Sequence, residues 1–182
     1  MARTPRVMTP RVFSSPESLS LAAAESFKTL ALEAIAARGR FTVALSGGST
    51  PKIIYEALSK LEGVPWDGVY VFWGDDRLVP PDDARSNYAM TNTALLDHVG
   101  IPAANTHRIR GELEAGEAVA DYARQLEAVF GSAVIFDLVH LGVGPDGHTA
   151  SLFPATPNLE SPQTVRETFP TPRTRAANPS SQ

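Results

Sequence analysis

Apolar and polar positions along the chain divide it into alternating segments of helix and strand character. "SPESLSLAAAESFKTLALEAIAARGR" opens with Ser and Pro and runs Ala/Leu-rich to Gly39. Ser14 or Ser15 suits the cap, Pro16 the first turn and Gly39 the stop, so the pattern predicts a long helix. "FTVALS" is short, apolar and β-branched and ends at Gly47-Gly48, as a buried strand does. "STPKIIYEALSKL" has Ser49 or Thr50 placed to cap, Pro51 in the first turn and apolar residues at helical spacing. "VYVFWGDD" reads as the next buried strand, "RSNYAMTNTALLDHV" as a helix starting near Ser86 or Asn87, and "HRIR" as a short edge strand. "EAGEAVADYARQLEAVF" is an amphipathic helix and "VIFDLVHLGVG" another buried strand. Near-continuous apolar strands alternating with helices predict an α/β fold, a Rossmann-like parallel sheet covered by helices on both faces. No internal repeat is visible. After Phe153 the chain turns to "PATPNLESPQTVRETFPTPRTRAANPSSQ", rich in Pro, Ser, Thr and Asn and without periodicity. The expected division is an α/β domain over residues 1–155 and an irregular or disordered tail over 156–182.

Composition narrows the partners. The chain has 182 residues, 43% hydrophobic and 20% charged, enough for an ordinary globular core. A formal net charge of −4 gives no basic footprint for nucleic acid or an anionic membrane surface. The sequence has no cysteine, which excludes disulfides and thiolate metal sites and fits a reducing cytoplasm. No stretch approaches the roughly 20 apolar residues of a membrane span. "MARTPRVMTPRVFSSPESL" carries positive charge but no apolar centre, so it is not read as a signal peptide. Nothing in the pattern specifies an oligomeric state.

In open parallel sheets ligands bind beyond the carboxyl ends of the strands. Three loops fall at such ends: "SGGSTP" at 46–51, "GDDR" at 74–77 and "GVGPDGH" at 142–148. In the first, Gly47 and Gly48 let backbone N–H groups face an anion, a helix start adds its dipole, and Ser49 and Thr50 add hydroxyls. The bland alternative is a tight turn with a capping hydroxyl. The Gly-Lys-Ser/Thr ending of a P-loop is absent, so no nucleotide is implied. In the second, Arg77 could hold a phosphate and an Asp could orient a base or bind sugar hydroxyls; the alternative is a solvated acidic turn. Asp75 and Asp76 lack the further acid or His at ligand spacing that a metal needs.

The third loop carries the best general base. Histidine ordinarily titrates near neutrality, and His148 has Asp146 two residues earlier to orient its ring. A loop His bonded to backbone is the alternative. Ser151 makes a Ser-His-Asp set conceivable, but no Gly-x-Ser-x-Gly elbow is present. His98 and His107 look structural, and His140, inside the strand, looks packed.

"ALSGGSTPKIIYEAL", "VYVFWGDDRLVPPDDARSNYAM" and "FDLVHLGVGPDGHTASLFP", in this order and spacing, resemble the 6-phosphogluconolactonases of the glucosamine-6-phosphate isomerase/6-phosphogluconolactonase family. The likeness runs from about residue 12 to about 154, and the last motif is the most specific. The related glucosamine-6-phosphate deaminases resemble "GHIAFNEP" where this chain has "GHTASLFP", without the acid. The resemblance implies hydrolysis of 6-phospho-glucono-1,5-lactone to 6-phosphogluconate, in the oxidative pentose phosphate pathway, without metal or organic cofactor. By position it implies His148 as the base that activates water and Asp75 beside the substrate or the His. It implies Gly47, Gly48, Ser49, Thr50 and Arg77 as phosphate holders, and Gly142, Gly144 and Gly147 as shapers of a loop whose amides could receive an oxyanion.

Two departures qualify the resemblance. The second loop of the family usually reads Asp-Glu-Arg; here it is Asp75-Asp76-Arg77. Family members also continue past the "SLFP" segment through an Arg-containing strand and a helix with a phosphate-contacting Lys. The last Lys here is Lys60, and Arg173 in "PTPRTRAA" only faintly matches the missing Arg. The expected sheet therefore lacks its last strand and helix and leaves an apolar edge. The rival expectations are an inactive or weakly active phosphosugar-binding remnant and, less favoured, a deaminase.

Overall fold

The computed structural model describes residues 9–168. Its first element, α1 (Pro16–Arg38), starts where the sequence allows. Ser15 is the N-cap and exchanges hydrogen bonds with Ser18, each side chain accepting from the other's backbone N–H at 3.2 Å. Pro16 fills the first turn, and Gly39, at φ 74°, ends the helix by donating to the Ile35 carbonyl. Its buried positions, Ser20, Ala24, Phe27, Ala31 and Ala34, recur every three or four residues and make one stripe.

The strands β1 (Phe41–Leu45), β2 (Val69–Trp73), β3 (Thr106–His107) and β4 (Leu138–Val139) form one parallel sheet in the order β3-β2-β1-β4. Alternation along β1 and β2 divides the core. Phe41, Val43 and Leu45, with Val69, Val71 and Trp73, face α1, α2 (Ser49–Leu58) and α3 (Asn87–Ala94). Ala44 and Phe72 face the other way, onto Tyr122 and Leu126 of α4 (Ala115–Phe130). The doubly covered parallel sheet predicted by the apolar strands is therefore present. No described helix is long and apolar enough to cross a membrane.

Two buried tyrosines close the ends of the central strands. Tyr55 on α2 accepts from the Ser46 N–H and donates to the Ser46 carbonyl, both at 3.0 Å. Tyr122 on α4 does the same to Trp73 from the opposite face, at 3.0 and 2.8 Å. Burial pushes the Tyr55 phenol up to about 12 and raises that of Tyr122 as well, so both stay protonated donors.

Three readings of the sequence are corrected. Ser49 and Thr50 do not cap α2: Gly48 is the N-cap and no side chain bonds the first turn. The helix expected through "LLDHV" stops at Ala94 and gives way to a 3-10 turn, Leu96–His98. The long buried strand expected at 134–144 pairs only at Leu138 and Val139. Before it, Asp137 takes the Thr42 N–H and hydroxyl with its carboxylate, at 2.8 and 3.0 Å, in place of a longer ladder. On its far side no described strand pairs with it. Ile135, Leu141 and Val143 are 75%, 60% and 83% exposed, and the sheet ends there in an apolar edge.

Residues beyond Pro154 hold a 3-10 turn, Pro157–Glu160, and otherwise no helix or strand as far as 168. Val165 nonetheless packs on the Phe72–Tyr122–Leu126 cluster. The rest of the expected tail, with Arg173, lies outside the described residues.

Candidate functional site

The strand order reverses between β1 and β4, which makes their carboxyl ends the switch point where a doubly wound sheet leaves a crevice. The loops singled out in the sequence leave the sheet at that end, after β1, β2 and β4. A cleft of about 1080 Å³ opens beside them. Asp75, Asp76, Arg77 and His148 line it, above an apolar floor that includes Ala44, Phe136 and Tyr122. Gly47, Gly48, Ser49 and Thr50 do not line it, nor do Gly144, Asp146 and Gly147. The first loop is joined to the second by Asn87 instead.

His148 is held from three sides. Asp146 Oδ1 lies 2.5 Å from its Nδ1, and Phe153 packs against the ring at 5.0 Å between centroids. Beneath it is Gly144, where a Cβ would stand 2.1 Å from His148 Cε1, so only glycine leaves room for the ring. An ionised carboxylate can only accept, so Asp146 requires a proton on Nδ1, and in the neutral ring the lone pair then lies on Nε2. The hydrogen bond from the His148 ring, then that from the His148 backbone N–H, hold the Asp146 carboxyl below its ordinary range. The loop is closed by Gly144 N–H to the His148 carbonyl at 2.8 Å and Gly147 N–H to the Gly144 carbonyl at 2.9 Å, with Gly147 at φ 86°.

The two acids of the second loop have different tasks. Asp76 Oδ1 accepts from the N–H groups of Arg77 and Asn87, both at 2.7 Å. Its Oδ2 accepts from Tyr88 N–H at 3.0 Å and from the Ser86 hydroxyl at 3.2 Å. A carboxylate here satisfies amides at the start of α3 and meets the positive end of its dipole. Asp76→Ala is expected to lower stability by about 2 kcal/mol, the scale of a lost cap with orphaned donors. Urea denaturation checks it, and a loss under about 0.5 kcal/mol would show that the cap is dispensable.

Asp75 points to other partners. Its Oδ2 accepts from Ser151 Oγ at 2.5 Å and its Oδ1 from Asn87 Nδ2 at 3.3 Å. Ser151 therefore bonds Asp75, and among the described residues no hydrogen bond joins it to His148, so the Ser-His-Asp set conceivable from the sequence is not assembled. Arg77 is exposed, and its guanidinium makes no ion pair among the described residues, whereas the neighbouring Arg85 is paired with Asp83 at 2.8 Å.

The other histidines are structural. His140 stacks on Tyr55 at 5.9 Å, and burial lowers its pKa. His107 stacks on Phe72 at 4.5 Å and is shifted the same way by burial, while His98 Nε2 meets the Thr93 carbonyl at 2.9 Å. The sequence reading missed Asn87 and Asp76 as connectors; "SN" at a helix start, following an acidic loop, was the available signal. It also missed Arg166, which lines the cleft with its Nε buried and unpartnered among the described residues.

Comparisons with known proteins bear on the family and the fold. The profile of the family described as "Glucosamine-6-phosphate isomerases/6-phosphogluconolactonase" matches residues 14–180. The 6-phosphogluconolactonase of Nostoc sp. is 47% identical over 152 residues, covering 80% of this chain and 61% of the relative. That of Synechocystis sp. is 48% identical over 132 residues, covering 70% and 55%. The chain thus spans little more than half the length of such relatives. Among solved structures, the 6-phosphogluconolactonase from Trypanosoma cruzi superposes with a TM-score of 0.76 at 30% identity, covering 88% of this chain and 68% of the other. That from Thermotoga maritima gives 0.68 at 33%, covering 74% and 60%. With the three loops, the parallel sheet and the matched profile in agreement, the chain belongs to the glucosamine-6-phosphate isomerase/6-phosphogluconolactonase family.

Proposed function

We propose that this chain hydrolyses 6-phospho-glucono-1,5-lactone to 6-phosphogluconate, in the cytoplasm and without a cofactor. The observation that carries the reading is His148, fixed by Asp146 in the tautomer of a general base, in a cleft shared with Asp75 and Arg77. His148 Nε2 takes a proton from water as the water oxygen attacks the lactone carbonyl. The tetrahedral intermediate collapses, the ring C–O bond breaks, and the departing oxygen takes the proton back as the C5 hydroxyl. The product is the carboxylic acid, which ionises. Asp75, its oxygens held by Ser151 and Asn87, keeps lone pairs for a substrate hydroxyl. The Gly144 and Gly147 amides already have partners inside the loop, so in this conformation they are not the oxyanion donors.

The phosphate contact is assigned to Arg77 and to the first loop. The uncapped first turn of α2, with Gly47 and Gly48 before it and the exposed Ser49 and Thr50 within it, offers amides and hydroxyls to an anion. The chemistry is assigned to the α/β domain within residues 1–155, and of the described residues beyond it Val165 and Arg166 add to the wall of the cleft.

The test is decay of freshly prepared lactone in the presence of the purified chain. Turnover well above spontaneous hydrolysis supports the reading. Binding of 6-phosphogluconate without turnover would favour the second reading, a non-catalytic phosphosugar-binding protein, which the placement of Gly47, Gly48, Ser49 and Thr50 outside the His148 cleft favours.

Arg77→Ala is expected to raise KM about tenfold and leave kcat within about twofold, because a phosphate contact remote from the carbonyl acts alike in ground and transition states. A loss confined to kcat would remove Arg77 from the phosphate site.

A further inference from the structure

Ser151 joins the two strand ends on which the proposed chemistry depends. Its Oγ donates to Asp75 Oδ2 at 2.5 Å across 76 positions of sequence. Asp75 is held on its other side by Asn87 Nδ2, which reaches the Asp75 carbonyl at 2.9 Å and Oδ1 at 3.3 Å. Asn87 in turn packs on Gly47, where a Cβ would lie 1.8 Å from Asn87 Oδ1. A continuous chain of contacts therefore runs from the β1 loop through the β2 loop to the β4 loop, and Ser151 is its last link.

The turn that carries Ser151 is tight. Thr149 and Leu152 form an isolated antiparallel bridge, with the Leu152 N–H donating to the Thr149 carbonyl at 2.9 Å. Ala150, between them, has φ 48°, in the left-handed region that disfavours a side chain. Such a conformation persists where its surroundings over-determine it. The bridge fixes the turn internally, and the Ser151–Asp75 bond fixes it to the sheet. His148 stands immediately before the bridge.

We propose that Ser151 is a positioning residue for lactone hydrolysis: its hydrogen bond to Asp75 docks the 149–152 turn on the end of β2 and so sets the His148 ring relative to Asp75. The proposal rests on the lactonase reading of the site. It requires that Ser151 act through Asp75 and that its loss be felt at His148.

The experiment compares Ser151→Ala, Asp75→Ala, the double variant and Ser151→Thr with the unaltered chain, in two readouts. In steady-state lactone hydrolysis, Ser151→Ala lowers kcat about tenfold with KM within about twofold, as for a small misplacement of a reacting group. In the Asp75→Ala background it adds nothing, because a residue acting through another falls silent once that partner is gone. Ser151→Thr, which keeps the hydroxyl, restores most of kcat. The second readout needs no turnover: the Cε1–H resonance of His148, followed by NMR, moves or broadens in Ser151→Ala while that of His98 stays in place. A His148 resonance unchanged in Ser151→Ala overturns the proposal, and so do kcat losses that multiply in the double variant. If no variant and not even the unaltered chain turns lactone over, but the resonance still moves, the lactonase reading fails while the positioning contact stands.

Discussion

Replacing His148 by alanine is expected to lower kcat for lactone hydrolysis by about 10²–10⁴-fold, the usual contribution of a general base. The structure gives the reason for so large a loss. Asp146 fixes the tautomer, Gly144 leaves room for the ring and Phe153 holds its side, so one nitrogen is prepared and no neighbour duplicates it. His140, the next histidine along the chain, is committed to Tyr55 and sits in the strand-side packing. The fold should be indifferent to the change, since His148 belongs to a loop. The measurement is initial lactone decay against the spontaneous rate, with thermal unfolding as the control for folding. A variant that kept most of its kcat would place the base elsewhere.

The largest expected loss of stability is at Phe27. It is 1% exposed on α1, meets Phe41 edge-on at 5.1 Å and Trp66 at 5.9 Å, and lies 6.4 Å from the His140 ring. Phe27→Ala removes a buried ring from the contact between the longest helix and the first strand. About 3–5 kcal/mol of stability should go with it, through lost transfer energy and the cavity left behind. In urea the midpoint should fall with little change in slope. A loss under about 1 kcal/mol would mean that the α1 face collapses onto β1 without the ring. Because His140 touches the same ring, the variant also tests whether packing beneath the sheet reaches the β4 loop.

The sheet was legible because β1 and β2 are buried on both faces, which favours a near-continuous apolar run such as "FTVAL" or "VYVFW". Local signals fixed α1 as well: Ser15, Pro16 and Gly39 each act within a few residues of their own position. The length of β4 was not legible. "VIFDLVHLGVG" has the composition of an interior strand, but pairing depends on what lies alongside, and Asp137 bonds Thr42 in a way no window of sequence displays. The site divides similarly. His148 and Asp146 are neighbours in sequence, so their pairing could be foreseen. The link from Asp75 to Ser151 spans 76 positions and exists only because two strands lie in one sheet. The choice between Asp75 and Asp76 depended on the start of α3, ten or more positions away, where Asp76 serves as an acceptor for backbone N–H groups.

The paired tyrosines have a consequence for how the chain can vary. Each phenol addresses the backbone of one residue, Ser46 or Trp73, and reads neither side chain. Identity at positions 46 and 73 is therefore free of this constraint, while phenylalanine at 55 or 122 would strand a donor and an acceptor together. The same bonds mark a boundary for insertions and deletions. A residue added before either stop displaces the whole strand against its neighbours, whereas one added after it changes only a loop. The sheet and the ligand-facing loops can then diverge at separate rates, with the seam between them drawn by two hydroxyl groups.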